Sequence, residues 1–275
     1  MRRALAAVAL AVLLAGCGED EPQRTTLVWE AAGTPSAAEL ERAAEVLQVR
    51  IDALAKEGIG MRTVAPNRIE VRVDSGEAER IERDRSLTGR GRIALYDWEA
   101  NVVGDARIGG CYERPEAQRR AGRVRGPVVL LRSEPLESGA PRNCWYVLRD
   151  RPALTSADIL SPEQLVDPQT NEPIVAFQFT ARGRARFQAV TRTLARRGQR
   201  RSATTPVDRA QQHFAIARDD QILSVPFIDY TANPNGIDAR NGSQISGGLT
   251  TESAGLLAAQ MRSGELTLRL RRVDS

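Results

Sequence analysis

Between residues 34 and 74 the apolar side chains change period, and that change restricts the chain to helices layered on sheets. Leu40, Ala44, Leu47, Ile51 and Leu54 recur at steps of four, three, four and three, which draws one stripe down an α-helix. Two starts for this helix fit the sequence: Thr34 as cap with Pro35 in the first turn, or Ser36 and Glu39 as a capping box. Gly58 and Gly60 supply the stop. Ile69, Val71 and Val73 then alternate with Arg68, Glu70, Arg72 and Asp74, the period-two pattern of a strand with one buried face. Met61 to Val64 pairs with it as a hairpin around Pro66-Asn67. A strand around Leu27, Val28 and Trp29 precedes the helix, and a short helix from about Ser75 to Arg85 and a strand from Arg92 to Trp98 follow. The order strand, helix, strand, strand, helix, strand predicts an α+β fold with a ferredoxin-like β-α-β-β-α-β base.

The N-terminus predicts where that base sits. Arg2 and Arg3 precede about twelve apolar residues, Ala4 to Ala15, and Leu14-Ala15-Gly16-Cys17 reads as a lipobox. Twelve residues are too few for a membrane span, which takes about 20. The segment therefore reads as a cleaved export signal, 1–16, that leaves Cys17 to carry lipid and residues 17–24 as a polar tether. The expected location is the extracytoplasmic face of the cell membrane, reached by a lipid anchor.

Charge and cysteine usage narrow the function classes. The chain holds 39 basic and 35 acidic residues, and loss of Arg2 and Arg3 with the signal leaves an excess of only two. Lys56 is the sole lysine, so the basic character is carried by arginine. A near-neutral chain with 4% aromatic residues is a poor nucleic-acid binder, which needs a basic face and stacking platforms. Once Cys17 is lipidated, Cys111 and Cys144 remain, and export into an oxidising compartment favours pairing them as a disulfide, with two buried thiols or a catalytic thiol as the alternatives. A bridge across that loop stabilises by about 3–4 kcal/mol on the chain-entropy account. A catalytic thiol would need a nearby base, and His213 is the only imidazole and opens an expected strand, FAIA. A serine-lysine dyad would need Lys56, which closes a helix. No His and Cys cluster has zinc-ligand spacing, and no cofactor motif is present. The reading is a non-enzyme, with a hydrolase the weaker alternative.

The remaining chain divides by composition. Residues 99–151 are rich in Gly, Pro and Arg and read as an insert with short strands at 128–132 and 145–148, held by the cysteine pair. Tyr96, Trp98 and Glu99 read as a packed strand end, and Arg119, Arg120, Arg123 and Arg125 as a solvated loop. Val175, Phe177 and Phe179 alternate as a strand, and a helix runs from about Ala181 to Arg197. Its arginines offer a surface for anionic headgroups, although a solvated face is the reading taken. FAIARDDQILSVPFI predicts a hairpin turning at Asp219-Asp220 without a glycine. Gly242, Gly247 and Gly248 lack a phosphate loop's Gly-Lys-Ser/Thr ending and serve backbone geometry, ahead of a helix from Thr251 to Arg262 capped by Thr250. Leu266, Leu268 and Leu270 alternate as a last strand.

Several of these stretches carry a family resemblance. NGSQISGGLTTESAGLLAAQMRSGELTLRL (241–270), ELERAAEVLQVRIDALAKEGI (39–59) with NRIEVRV (67–73), and DPQTNEPIVAFQFTARGRARFQAVT (167–191) resemble the first extracytoplasmic domain of SecD, a subunit of the bacterial protein-export translocon. The resemblance implies a base at 25–98, the insert at 99–151 and a head at 152–275, a second α/β lobe. Full family members continue into membrane helices that harvest the proton gradient. Only five residues follow Leu270, so the expectation is a lipid-anchored, passive relative of SecD. Its expected partners are exported unfolded polypeptides or translocon membrane subunits. The alternative class is a structural or ligand-binding envelope lipoprotein unrelated to export.

Overall fold

The computed structural model describes residues 24–55, 59–104, 111–133 and 144–273. Cys17 and Lys56 lie outside the described residues. The first sheet has the order β14-β1-β3-β2, formed by β1 (Arg24–Ala31), β2 (Gly60–Val64), β3 (Arg68–Asp74) and, from the far end of the chain, β14 (Leu270–Val273). Register places Trp29 opposite Ile69 and Leu27 opposite Val71, so the alternating apolar residues of both strands share one face. Helices α1 (Ala37–Asp52) and α2 (Ser75–Arg83) cover it. Leu27, Leu47, Ile51, Ile69, Val71 and Val73 are fully buried in the resulting core. Ser36, and not Thr34, caps α1. Its hydroxyl accepts from the Glu39 amide at 3.3 Å, and the Glu39 carboxylate accepts from the Ser36 amide at 2.8 Å, a complete capping box. Those hydrogen bonds from Ser36 also lower the Glu39 carboxyl below its ordinary value. The helix stops at Asp52, short of the two glycines expected to end it.

The fourth strand of the base differs from expectation. Residues 92–98 were predicted to complete this sheet, but β4 (Ile93–Asp97) lies in another one, between β10 (Gln212–Arg218) and β7 (Leu154–Thr155). The place beside β1 belongs to β14. Burial explains the exchange: Ile93, Ala94, Leu95 and Tyr96 are all buried, so β4 needs cover on both faces. Leu270–Val273 is only partly buried and carries Arg271 and Arg272, which suit a solvent-facing edge. The ferredoxin-like order read along the first 98 residues is therefore not how the chain assembles.

The second sheet runs β6-β5-β11-β10-β4-β7, with a short β12 (Phe227–Ile228) also paired to β10. Here β5 (Val128–Ser133) and β6 (Cys144–Arg149) come from the stretch expected to be an insert, and β5 lies parallel to β11 (Gln221–Ser224). The insert thus extends the main sheet. The Cys111 and Cys144 sulfurs are bonded, with Cα atoms 5.1 Å apart, and Tyr112 forms an isolated bridge to Trp145. Two short helices, α3 (Trp98–Asn101) and α4 (Arg114–Ala121), flank this region. Asp219 turns the β10–β11 hairpin at φ +54°, a left-handed conformation that Asp tolerates without a glycine.

A third sheet, β13-β9-β8, joins β8 (Ile159–Val166), β9 (Pro173–Phe179) and β13 (Ser243–Ile245). Helix α5 (Ala181–Ser202) outruns the expected end at Arg197 because Gly198 is no stop. A Cβ there would meet the Tyr230 ring at 2.9 Å, so the glycine permits close packing within the helix. A single turn, α6 (Val207–Ala210), leads into β10. Helix α7 (Thr251–Ser263) packs on β8 and β9 with one face and on α1 with another. Its Leu256 belongs to the base core, whereas Ala254, Leu257, Ala258 and Met261 belong to the head core.

Two chain crossings join the lobes, residues 84–92 and 264–269, and both are gripped by Arg50. This side chain on α1 is 0% exposed. Its guanidinium donates to Leu87 O (2.8 Å), Arg90 O (3.0 Å) and Gly264 O (3.0 Å), and also to Gly89 O. Asp219 reinforces the first crossing, its carboxylate accepting from the amides of Gly91 and Arg92 at 3.0 and 2.9 Å. Among the described residues no helix is long and apolar enough to cross a membrane.

Candidate functional site: a phenylalanine cleft in the head

The chain contains five phenylalanines, and all five line one cleft. Phe177 and Phe179 arrive on β9, Phe187 on the buried face of α5, Phe214 on β10 and Phe227 on β12. The rings form a continuous set. Phe177 meets Phe179 edge-on at 5.2 Å, Phe179 stacks on Phe187 at 4.9 Å, and Phe187 meets Phe214 edge-on at 6.0 Å. Ile93, Leu95 and Ile216 add apolar wall from the central sheet. Phe227 stands at the rim, 50% exposed.

The cleft has a volume of about 240 Å³. Drug-sized ligands and cofactors occupy about 300–1,000 Å³, so this space suits a few side chains better than a bulky cofactor. Its polar lining comes from Thr155, Ser224, Ser243, Gln244 and Ser246, none of which ionises near neutral pH. Among the described residues no acid-base pair faces the space. Strand β13 forms part of the rim and is bonded to β9 along one side, Ile245 opposite Val175 and Ser243 opposite Phe177; no described strand occupies its other side. An apolar trough beside a free strand edge is the geometry that accepts an extended chain, main chain to the edge and alternate side chains into the trough.

Gly242 fixes how β13 enters this rim. It has φ +85°, and a Cβ would lie 2.5 Å from Phe177 O. The expectation that these glycines serve backbone geometry therefore has a concrete cause at this position. Thr250 caps α7 by accepting from the Ser253 amide.

Other residues weighed in the sequence occupy structural places. Tyr96 and Trp98 are buried, Trp98 edge-on to Tyr146 at 5.0 Å. Burial, followed by the Asp150 carboxylate at 2.8 Å, pushes the Tyr96 phenol above its ordinary pKa. Glu99 accepts from the His213 backbone amide at 3.0 Å and lies 2.8 Å from its Nδ1, while Arg197 bridges Asp97 at 2.6 Å and Glu99 at 3.9 Å. This ionic set holds α3 and β10 to α5. Arg120 pairs with Glu116 and lies over the Tyr112 ring at 4.1 Å. Among the described residues no group of three or more His, Cys, Asp and Glu is placed to hold a metal ion. The cleft itself escaped sequence reading. The one available signal was that every phenylalanine falls after residue 176.

A sequence model of the SecDF P1 head subdomain matches residues 131–268, half of the chain, and this match includes all five phenylalanines of the cleft, though not Ile93 and Leu95 of its wall. The chain belongs to the SecD family. Curated SecD relatives include the protein translocase subunits of Calditerrivibrio nitroreducens, 30% identical over 121 residues, and Thermobaculum terrenum, 30% identical over 122 residues. Each alignment covers 44% of this chain and 19% of the relative, so the shared region is about a fifth of either translocase subunit. Among solved structures, SecDF in its super-membrane-facing form is similar at TM-score 0.56 and 22% identity, covering 90% of this chain and 29% of that one. A second structure, described as a membrane component SecDF that enhances protein export, gives TM-score 0.53 and 22% identity and covers 91% of this chain and 99% of that one. At such identity the likeness is one of fold.

Proposed function

We propose that this SecD-family chain is a non-catalytic component of protein export that holds unfolded, exported polypeptide in the phenylalanine cleft. The carrying observation is the convergence of all five phenylalanines on one trough beside an open strand edge. A segment entering the cleft adds a strand to β13 and buries alternate apolar side chains against the rings. Covering the exposed half of Phe227 removes about 100 Å² of apolar surface from water, worth about 2 kcal/mol per occupied site. Such capture is weak, reversible and tolerant of sequence, which fits clients that share only exposed apolar surface. In this reading the lipid on Cys17 keeps the domain at the extracytoplasmic membrane face, and partners are emerging polypeptides or translocon membrane subunits.

Site-specific photocrosslinking from Ser246 and Phe227 in intact cells tests the reading, with captured partners identified by mass spectrometry. Exported polypeptides caught from these positions, and fewer caught from Ser246 when Phe227→Ser is introduced, are expected. Recovery of cell-wall material or small ligands alone would instead support an envelope lipoprotein outside export. Release from the membrane fraction by Cys17→Ser tests the anchor separately.

A further inference from the structure

Helix α5 carries a charge arrangement that the cleft does not use. Its sequence, ARGRARFQAVTRTLARRGQRRS, contains eight arginines and no carboxylate, in a chain whose basic and acidic residues nearly balance. The buried face, Phe187, Thr191, Leu194, Ala195 and Gly198, packs inward. Arg182, Arg186, Arg196 and Arg200 fall within about 80° of one another at 3.6 residues per turn, forming an outward row about 27 Å long. All four are exposed. Ala189 and Thr193, also exposed, fill the gap between them.

Compensation along the row is incomplete. Arg182 and Arg186 share the single carboxylate of Asp158, at 3.1 and 3.3 Å. Arg196 and Arg200 meet no carboxylate among the described residues. The solvated-face reading drawn from the sequence leaves this concentration of like charge on one surface without an account.

We propose that the outward arginine row of α5 is a docking surface for the phosphate groups of an anionic phospholipid bilayer. Three features favour a lipid surface over a protein partner. The row lacks any apolar or aromatic anchor, and protein interfaces draw most of their energy from such anchors. A bilayer surface asks only for charge spread over a flat area, which a straight helix row supplies. Guanidinium forks also bind phosphate oxygens two at a time. Because the apolar face of α5 is spent on the head core, contact stays at headgroup depth without insertion. Docking through the outer face leaves the cleft, which lies on the inner side at Phe187, open to polypeptide. The proposal does not depend on the export reading.

The test uses the full-length protein as isolated from its membrane, reconstituted in phosphatidylcholine vesicles with or without phosphatidylglycerol, and carrying a fluorescent residue in place of Thr193. The readout is quenching by a headgroup-bound quencher, which reports α5 contact even when lipid on Cys17 already holds the protein to both vesicles. Quenching is expected with phosphatidylglycerol, not with phosphatidylcholine alone. It should fade as salt rises from about 0.1 M to about 1 M and the screening length shrinks from about 10 Å to about 3 Å. At about fivefold per arginine close to an anionic surface, Arg196→Gln with Arg200→Gln should lower the contact equilibrium about 25-fold, while circular dichroism stays unchanged. Arg119→Gln with Arg123→Gln, on and beside α4, should leave it intact. Equal quenching on neutral vesicles, insensitivity to the α5 pair, or equal loss from the α4 pair would overturn the proposal. So would crosslinking of position 193 to a protein partner in place of lipid.

Discussion

Replacing Arg50 by methionine probes how the two lobes are held together. The substitution keeps most of the side-chain volume but removes every donor: the carbonyls of Leu87 and Gly89 lose the guanidinium, Arg90 O keeps only the Leu266 amide, Gly264 O keeps only the Ser263 hydroxyl, and Ser263 Oγ loses its bond from Nε. Hydrogen bonds from a charged donor are worth about 1.5–3 kcal/mol each, so the four bonds to carbonyls alone cost at least about 6 kcal/mol, before the longer Nε bond to Ser263 Oγ is counted. Against this stands the cost of burying the guanidinium, no longer borne by the variant. Burial lowers the Arg50 pKa from 12.5 to about 10, opposed by the nearby Asp219 charge. That displacement corresponds to about 3 kcal/mol. The net loss is therefore about 3 kcal/mol or more, a fall in Tm of about 6–12 °C for a domain of this size. Urea denaturation and thermal melting measure the loss. Limited proteolysis provides a local readout, since the crossing at residues 84–92 should become cleavable before the rest of the chain. Arg50→Lys keeps the charge but presents a single ammonium, and should recover less than half of the loss. A methionine variant destabilised by less than about 1 kcal/mol, with the crossing still protected, would show that the crossings are held by packing and that the guanidinium is dispensable.

Three further outcomes follow from the geometry. Cys111→Ser with Cys144→Ser opens a loop spanning 33 sequence positions and should cost about 3–4 kcal/mol, and mild reduction of the native protein should lower stability by the same amount. Gly242→Ala forces a Cβ against Phe177 O at positive φ, and should cost about 1–3 kcal/mol in melting experiments. It should also weaken peptide capture, because β13 shifts at the cleft rim. Asp150 gives an acid dependence: burial acts to raise its carboxyl, but the Arg92 and Tyr96 hydrogen bonds with the Arg92 charge prevail and hold it below its ordinary value. The folded state thus favours the carboxylate, and its contribution is present above about pH 4 and lost as pH falls through the lower folded value. Melting temperature should be flat from about pH 7 to about pH 5 and drop below about pH 4, and Asp150→Asn should flatten that drop; an unchanged slope in the variant would remove Asp150 from the account.

Most individual elements were legible along the chain, because the forces that set them act within a few residues. The stripe from Leu40 to Leu54, the alternation at Ile69 to Val73 and the cap at Thr250 each specify local geometry before any distant contact forms, whereas the choice of Ser36 over Thr34 as cap was made only in the folded chain. Cys111 and Cys144 were legible as a pair because composition left no other thiol once Cys17 was set aside. Tertiary structure decided which strands became neighbours. Residues 92–98 read as a plain strand of the base, and only the need to bury β4 on both faces sent it to the central sheet; the edge beside β1 went to Leu270–Val273, which shares only Leu270 with the strand expected at 266–270, residues 266–269 serving as a chain crossing instead. The cleft is a product of the same level: its five rings come from four separate elements, and no periodic pattern links residues 177 and 227. Arg50 is the sharpest case. In the sequence it is one arginine among many at a helix end, and only the meeting of both chain crossings over α1 turns it into a buried clasp.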